Sequence, residues 1–287
     1  MADLIFGTAS FSAGYGVSRE NFNLSRNEAM ELIKTARALG IKEFDTAPTY
    51  GRSEEILGET LGWNEEFLVS TKIGFDVCQD PQLVELSITK SLGLLRVPQI
   101  DTLYIHDERA LLGEKSEELI QNLEDLRTKG MFRKLGASVY SLASIREIKR
   151  RFPSIGVFQV PENICDRRLK ESGELLELSK RDYEFVIRSI FLQGLLLMRP
   201  EQIPGRLKGA SSAVESLGRF AEKHSMSVLD LCLAYAQAIS WCDKILIGAI
   251  SPSQLREISE SQFQLPDKWQ DEVIRVPDDV VDPRKWS

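Results

Sequence analysis

Three observations predict an α/β protein with the architecture of a single closed (β/α)8, or TIM, barrel. Short apolar segments of strand character alternate strictly with amphipathic helical segments, eight such pairs recur at intervals of about 30 residues, and no Gly/Ser/Pro-rich linker interrupts them. Strict alternation demands a parallel sheet, and eight units fit a closed barrel better than an open sheet, so residues 1–287 read as one domain.

The first strand is Leu4–Ala9. A capping box, Ser25 to Glu28, opens the first helix, whose Ala29, Leu32, Ile33, Ala36 and Leu39 share one face and which stops at Gly40. Ile41–Asp45 is the second strand, followed by a loop with Pro48 and Gly51 and a helix capped by Ser53, with Glu54 and Glu55 suited to its positive N-terminus, and closed by Gly62. The unit then repeats: strand Phe67–Lys72, helix Pro81–Leu95, strand Asp101–His106, helix Ser116–Lys129 before Gly130, and strand Lys134–Ser138. The second half continues with helix Ser141–Phe152, strand Val157–Val160, helix Lys170–Lys180 and strand Phe185–Ile190. A long helical stretch, Ser211–Ala238, is broken near Ser225; strand Lys244–Gly248 and a helix after Ser251 complete the set.

Composition narrows the function classes. With 43% hydrophobic and 28% charged residues the chain is an ordinary globular sequence, which excludes disordered, collagen and coiled-coil classes. Its 36 Lys and Arg against 43 Asp and Glu give a net charge of −7 without basic runs, which argues against nucleic-acid and anionic-membrane partners. The N-terminus has no signal-peptide pattern, and the most apolar run, Ile190–Met198, is too short to span a bilayer, so a cytoplasmic protein is expected. Cys78, Cys165, Cys232 and Cys242 are too few and too scattered for a disulfide framework and read as reduced, mostly buried thiols. Two histidines, His106 and His224, leave a histidine-built zinc site almost no material, and no metal is expected.

In a barrel of this kind, chemistry sits where the strands end. The second strand ends in Asp45-Thr46-Ala47-Pro48-Thr49-Tyr50-Gly51, the third in Ser70-Thr71-Lys72 and the fourth in Tyr104-Ile105-His106. An Asp, a Tyr, a Lys and a His therefore converge on one mouth. Asp45 beside Lys72 is expected to keep the ammonium charged, and that charge to lower the Tyr50 phenol toward the working range of a proton donor, with His106 holding a carbonyl oxygen in line. Singly, each residue also has a structural reading: Asp45 fixes a loop, Tyr50 is a loop aromatic, Lys72 snorkels and His106 is a satisfied polar group. Their joint arrival at three consecutive strand ends favours the chemical one.

These residues resemble the aldo/keto reductase family. The likeness rests on Asp45-Thr46-Ala47-x-x-Tyr50-Gly51-x-Ser53-Glu54, Lys72, His106 and a distal Gly248-Ala249, in the family's order over nearly the whole chain. It implies one (β/α)8 barrel and hydride transfer between NADPH, less often NADH, and a small-molecule aldehyde or ketone. It implies further that Tyr50 is the general acid, that His106 orients the carbonyl, and that Lys72 and Asp45 tune Tyr50. For the nicotinamide carboxamide the resemblance points to Ser138 and Gln159, with Asn163 four residues on and Val139 in place of the family's Asn; losing that one hydrogen bond costs about 0.5–1.5 kcal/mol. Gly7 and Thr8 match the family at the first strand. Arg188 stands where family members place an aromatic that stacks on nicotinamide, followed by Ser189; it reads equally as a stacking guanidinium or as a clamp for a substrate anion or phosphate. Gln193 and Gly194 resemble the loop covering the pyrophosphate.

After the eighth strand, Gly248, Ile250, Gln254 and Ile258 replace residues that family members use for the 2′-phosphate and adenine of NADPH, whereas Ser251, Gln254 and Glu257 keep family types. A charge-assisted phosphate contact is worth about 1.5–3 kcal/mol, so NADPH is expected with weak discrimination against NADH. The open dinucleotide-binding sheet is not supported, because the first strand runs into Gly7-Thr8-Ala9-Ser10-Phe11 without G-x-G-x-x-G spacing. Two other functions compete: a Schiff-base lyase using Lys72, which Asp45 opposes, and a nucleotide-binding regulatory barrel with little turnover. The segment from Asp278 to Ser287 is either a solvated tail or a flap over the mouth. Oligomeric state has no signature.

Overall fold

The computed structural model describes residues 2–17, 24–62, 64, 66–180 and 183–286. Eight parallel strands close in chain order: β1 (Asp3–Gly7), β2 (Glu43–Asp45), β3 (Leu68–Ile73), β4 (Ile100–Ile105), β5 (Phe132–Ser138), β6 (Ile155–Pro161), β7 (Glu184–Arg188) and β8 (Lys244–Ile247). The seam pairs Asp3 with Lys244 and Phe6 with Ile247. Around this sheet run α1 (Arg26–Ala38), α2 (Ser53–Leu61), α3 (Pro81–Leu95), α4 (Arg109–Leu112), α5 (Ser116–Thr128), α6 (Leu142–Arg151), α7 (Glu174–Ser179), α8 (Ser211–Lys223), α9 (Val228–Gln237), α10 (Pro252–Glu260) and α11 (Trp269–Glu272). No helix among the described residues is long and apolar enough to cross a membrane.

Local chemistry sets the helix boundaries. Ser25 and Glu28 form the reciprocal capping box that opens α1, and Asp80 and Ser141 cap α3 and α6 through their side chains. Ser225, at φ 55°, breaks the long helical stretch into α8 and α9. Several expectations shift: β2 starts at Glu43 rather than Ile41, β5 and β6 start two residues before Lys134 and Val157, and β7 ends at Arg188 rather than Ile190. The helix read over Lys170–Lys180 is split by Gly173 at φ 70° into a 3-10 turn, Lys170–Ser172, and α7. The first strand is one residue earlier at its start and shorter at its end than Leu4–Ala9, because Ala9 enters a 3-10 turn through Phe11.

The register explains where the polar groups go. Side chains alternate across a strand, so pairing Gly7 with Asp45, Lys72 with Tyr104, Tyr104 with Gly136, Ser138 with Gln159, and Val186 with both Gln159 and Lys244 puts all these residues on one face. That face is the barrel interior, where Ile5, Tyr104, Val157 and Val186 form a small buried cluster with Leu246. The opposite face carries Phe6, Phe44, Phe158 and Phe185, all fully buried beneath the helices in the main core. Gly136 is required by this arrangement: a Cβ there would lie 2.6 Å from the Tyr104 ring and 3.1 Å from the Val157 carbonyl oxygen.

Candidate active site

A cavity of about 690 Å³ opens at the C-terminal ends of the strands. Asp45 ends β2, Lys72 is the penultimate residue of β3, Tyr50 lies in the β2–α2 loop, and His106 follows the last residue of β4; all four line the cavity. Lys72 is 1% exposed and donates to an Asp45 carboxylate oxygen and, at 3.0 Å, to the Thr46 carbonyl. The other Asp45 oxygen accepts from the Gln159 side-chain amide at 3.0 Å. Above this pair the Tyr50 and His106 rings meet edge to face with centroids 6.0 Å apart, and Lys72 Nζ lies 5.2 Å from the Tyr50 ring centre.

Thr8 lines up behind the site rather than in it. Its amide and hydroxyl both reach the Asp45 carbonyl, at 2.9 and 3.2 Å, tying the end of β1 to that of β2. Ser53 is not the cap of α2 but its first residue, with Arg52 at the cap position; its hydroxyl donates to the Tyr50 carbonyl at 2.5 Å and so fixes the loop that carries the tyrosine.

Burial changes the expected proton chemistry. The Tyr50 phenol is pushed up, first by burial and then by the charge on Asp45, and not down as the nearby ammonium alone would have it. Burial pushes the Lys72 ammonium down, with Asp45 opposing. Burial, then Lys72 and Arg188, push His106 down to about 3, which leaves its imidazole neutral at physiological pH.

Gly7, Ser138, Gln159, Arg188, Ser189, Gln193, Gly194, Gly248 and Gln254 also line the cavity, whereas Thr8, Ser251 and Glu257 do not. Ser251 spends its hydroxyl on capping α10, accepting from the Gln254 amide at 3.2 Å, and Glu257 is exposed on that helix. Gln254 in turn accepts from the Ile250 amide at 3.0 Å. The loop after β7 is bent into the left-handed region at Ser189, Leu192, Gln193 and Gly194, a costly conformation for the three that are not glycine. Two anchors hold it there, Asn163 Nδ2 on the Ser189 carbonyl at 3.2 Å and the Val17 amide on the Gln193 carbonyl at 3.2 Å.

Sequence reasoning missed Tyr15, Tyr140 and Arg284, which also line the cavity. The tail lies against the mouth: Val280 and Val281 are buried, Trp286 donates to the Val280 carbonyl at 2.8 Å, and Arg284 sits 3.5 Å above the centre of the Tyr140 ring. Among the described residues no three His, Cys, Asp or Glu side chains form a cluster able to hold a metal.

Known proteins resemble this chain in sequence and, separately, in fold. An L-galactose dehydrogenase of Arabidopsis thaliana is 28% identical, over 98% of this chain and 90% of its own. An NADH-specific methylglyoxal reductase of Escherichia coli is also 28% identical, over 83% of each. A solved aldo-keto reductase from Bacillus halodurans, in its holo form, matches the fold with a TM-score of 0.78 at 20% identity, over 99% of this chain and 95% of that one. A sequence model of the Aldo/keto reductase family matches residues 3–275, and this chain belongs to that family of NAD(P)H-dependent oxidoreductases.

Proposed function

We propose that the chain reduces an aldehyde or ketone to an alcohol, with Tyr50 as the proton donor and NADPH as cofactor, NADH being accepted with weak discrimination. The observation that carries this reading is the stacking order at the mouth: a buried Lys72–Asp45 pair below, Tyr50 and His106 edge to face above it. A phenol held above its ordinary pKa keeps its proton until a strong base, such as a developing alkoxide, forms beside it. The neutral His106 can donate one hydrogen bond to the same carbonyl oxygen without competing as an acid. Lys72, fixed by two acceptors, places positive charge next to the phenolate that proton transfer leaves behind.

The lining fits a nicotinamide dinucleotide. An apolar wall that includes Ile190, Phe191, Leu246 and Ile250 is punctuated by Ser138, Gln159, Gln193 and Gln254, and at Gly248 a side chain would meet nothing within 4 Å. The bound dinucleotide supplies the hydride. Ser138 and Gln159 would hold the carboxamide, Gln159 through its carbonyl oxygen because its amide donates to Asp45. Gln193, Gly194 and Gly248 would border the pyrophosphate, and Gln254 the adenine end. Lys72, Arg188 and Arg284 are the lining cations, none of them from the β8–α10 turn, and Arg256 in that helix is exposed. This supports weak selection for the 2′-phosphate.

Nicotinamide-fluorescence quenching and turnover on an aldehyde and ketone panel test the reading. Binding with turnover is expected; binding alone would favour the regulatory barrel, and an imine trapped on Lys72 by borohydride the lyase. In the same assays an NADPH preference above about 100-fold, equivalent to about 2.7 kcal/mol, would overturn the cofactor proposal. The relative named as L-galactose dehydrogenase favours a second reading in which the same groups run in reverse and oxidise a sugar hydroxyl.

A further inference from the structure

Among the described residues lining the cavity, one cation has no carboxylate partner. Arg188, the last residue of β7, has Nη1 3.4 Å from the Ser189 hydroxyl, while its Nε and Nη2 are buried with no hydrogen-bond partner. Among the described residues no carboxylate comes within ion-pair distance of it. Those nearby are committed: Asp45 to Lys72 and Gln159, and Asp107 to Arg109, with contacts of 2.6–3.0 Å to its two oxygens. Asp76, at the rim, is exposed. Arg188 also lies over Tyr140, 4.3 Å from the ring centre, where the second cation, Arg284, approaches to 3.5 Å. Arg284 is already balanced by a bidentate bond to Asp282, Nε to Oδ1 at 2.9 Å and Nη2 to Oδ2 at 2.7 Å.

Leaving donors of a cation buried without acceptors is costly, and the cost is recovered when a ligand brings the acceptor. A guanidinium presents parallel N–H groups that match a carboxylate. We propose that Arg188 selects a substrate carrying a carboxylate close to its reacting carbonyl, that is, a small oxo acid, with the carboxylate seated against the Arg188 guanidinium and the carbonyl facing Tyr50 and His106. The proposal rests on the carbonyl-reductase reading. Its position follows from electrostatic reach: Arg188 lies near enough to Tyr50, Lys72 and His106 to act on all three, which puts it at their end of the cavity.

The test compares phenylglyoxylate with its methyl ester, nearly the same shape without the charge, using wild type, Arg188→Met and Arg188→Lys with NADPH. Wild type is expected to favour the acid in kcat/KM, and Arg188→Met to lower the acid-to-ester ratio by about tenfold to hundredfold, mainly through KM, with Arg188→Lys recovering part of it. An unchanged ratio in Arg188→Met, or no preference in wild type, overturns the proposal. Two further readouts separate its failure from that of the reductase reading. Loss of NADPH affinity in Arg188→Met with both substrates falling together assigns the anion to the cofactor's phosphates and overturns the proposal. If no carbonyl compound turns over, the reductase reading fails. Calorimetry of phenylglyoxylate on NADP⁺-loaded protein then still decides: binding lost in Arg188→Met supports the anion site, and no binding to wild type overturns it.

Discussion

Where the strands begin, Lys244 donates to Glu43 at 2.7 Å and lies 3.0 Å from Glu184, which also takes a 2.5 Å bond from Lys134. Where they end, Lys72 and Asp45 form a buried pair beside Arg188, two of whose nitrogens have no acceptor. The first set joins β5, β7, β8 and β2 in a run of alternating sign, each charge facing its opposite, and works as a fastening across the barrel floor. At the other end pairing is incomplete: Arg188, which faces Tyr50 and His106, has no carboxylate within ion-pair distance among the described residues. Complete pairing identifies charges that hold a structure, and an incomplete set identifies those that await a ligand.

This contrast is broken or sharpened most strongly by Tyr50→Phe. It is expected to keep fold and cofactor affinity and to lower carbonyl reduction by about 10²–10⁴-fold, the range for losing a general acid. Turnover near wild type on the same substrate would remove the chemical distinction between the two ends. At the floor, Lys244→Met leaves Glu43 without its partner. With the Lys244, Glu43 and Glu184 side chains 15–22% exposed, the expected loss is about 1–3 kcal/mol, below that of a fully buried pair, with activity per folded molecule retained. Urea midpoints and active-site titration read both; a loss of activity in the folded variant would show that the floor shapes the mouth.

The smallest effect is a slope. Glu162, just beyond β6, is fully buried, accepts from the Tyr235 hydroxyl at 2.6 Å, and is pushed by burial up to about 8. Between its ordinary value of 4.5 and about 8 the folded protein holds a proton that the unfolded chain has released, so stability from this group falls as pH rises across that window. Glu162→Gln should therefore gain on wild type from pH 5 to pH 8 in denaturant titrations. A stability difference that stays constant over that range would refute the assignment.

Most of the frame was legible because it follows from periodicity and local caps: eight alternating units, the Ser25–Glu28 box and the break near Ser225 all depend on neighbours in sequence. The Asp45, Tyr50, Lys72 and His106 group was legible because strand ends share one rim. What sequence could not give was competition between partners. Gln159 was read for a cofactor, yet its amide is drawn to Asp45, because the inward faces of β2 and β6 meet across the barrel. The Ser251 hydroxyl caps α10 and the Thr8 hydroxyl reaches the Asp45 carbonyl, partners that no motif in the sequence names. The direction of the Tyr50 shift was misjudged because burial, which no motif records, outweighs the neighbouring ammonium. Arg284 reaches Tyr140 only through the course of the tail, which carries no periodic signal.

The seam between Asp3 and Lys244 bears on how the molecule comes into being. During synthesis β1 emerges first and β8 last, so one flank of β1 stays bare while nearly the whole chain is made. Exposed strand edges invite pairing with other chains, and contacts between distant residues form slowly. The residues proposed to bear the chemistry have all left the ribosome once His106 has, long before the wall formed by Arg188 and Gly248 exists to enclose them. A nascent chain stopped short of Lys244 would therefore carry the Tyr50 group on an open sheet with two raw edges, a species prone to aggregate, and closure of the seam is the step that ends that exposure.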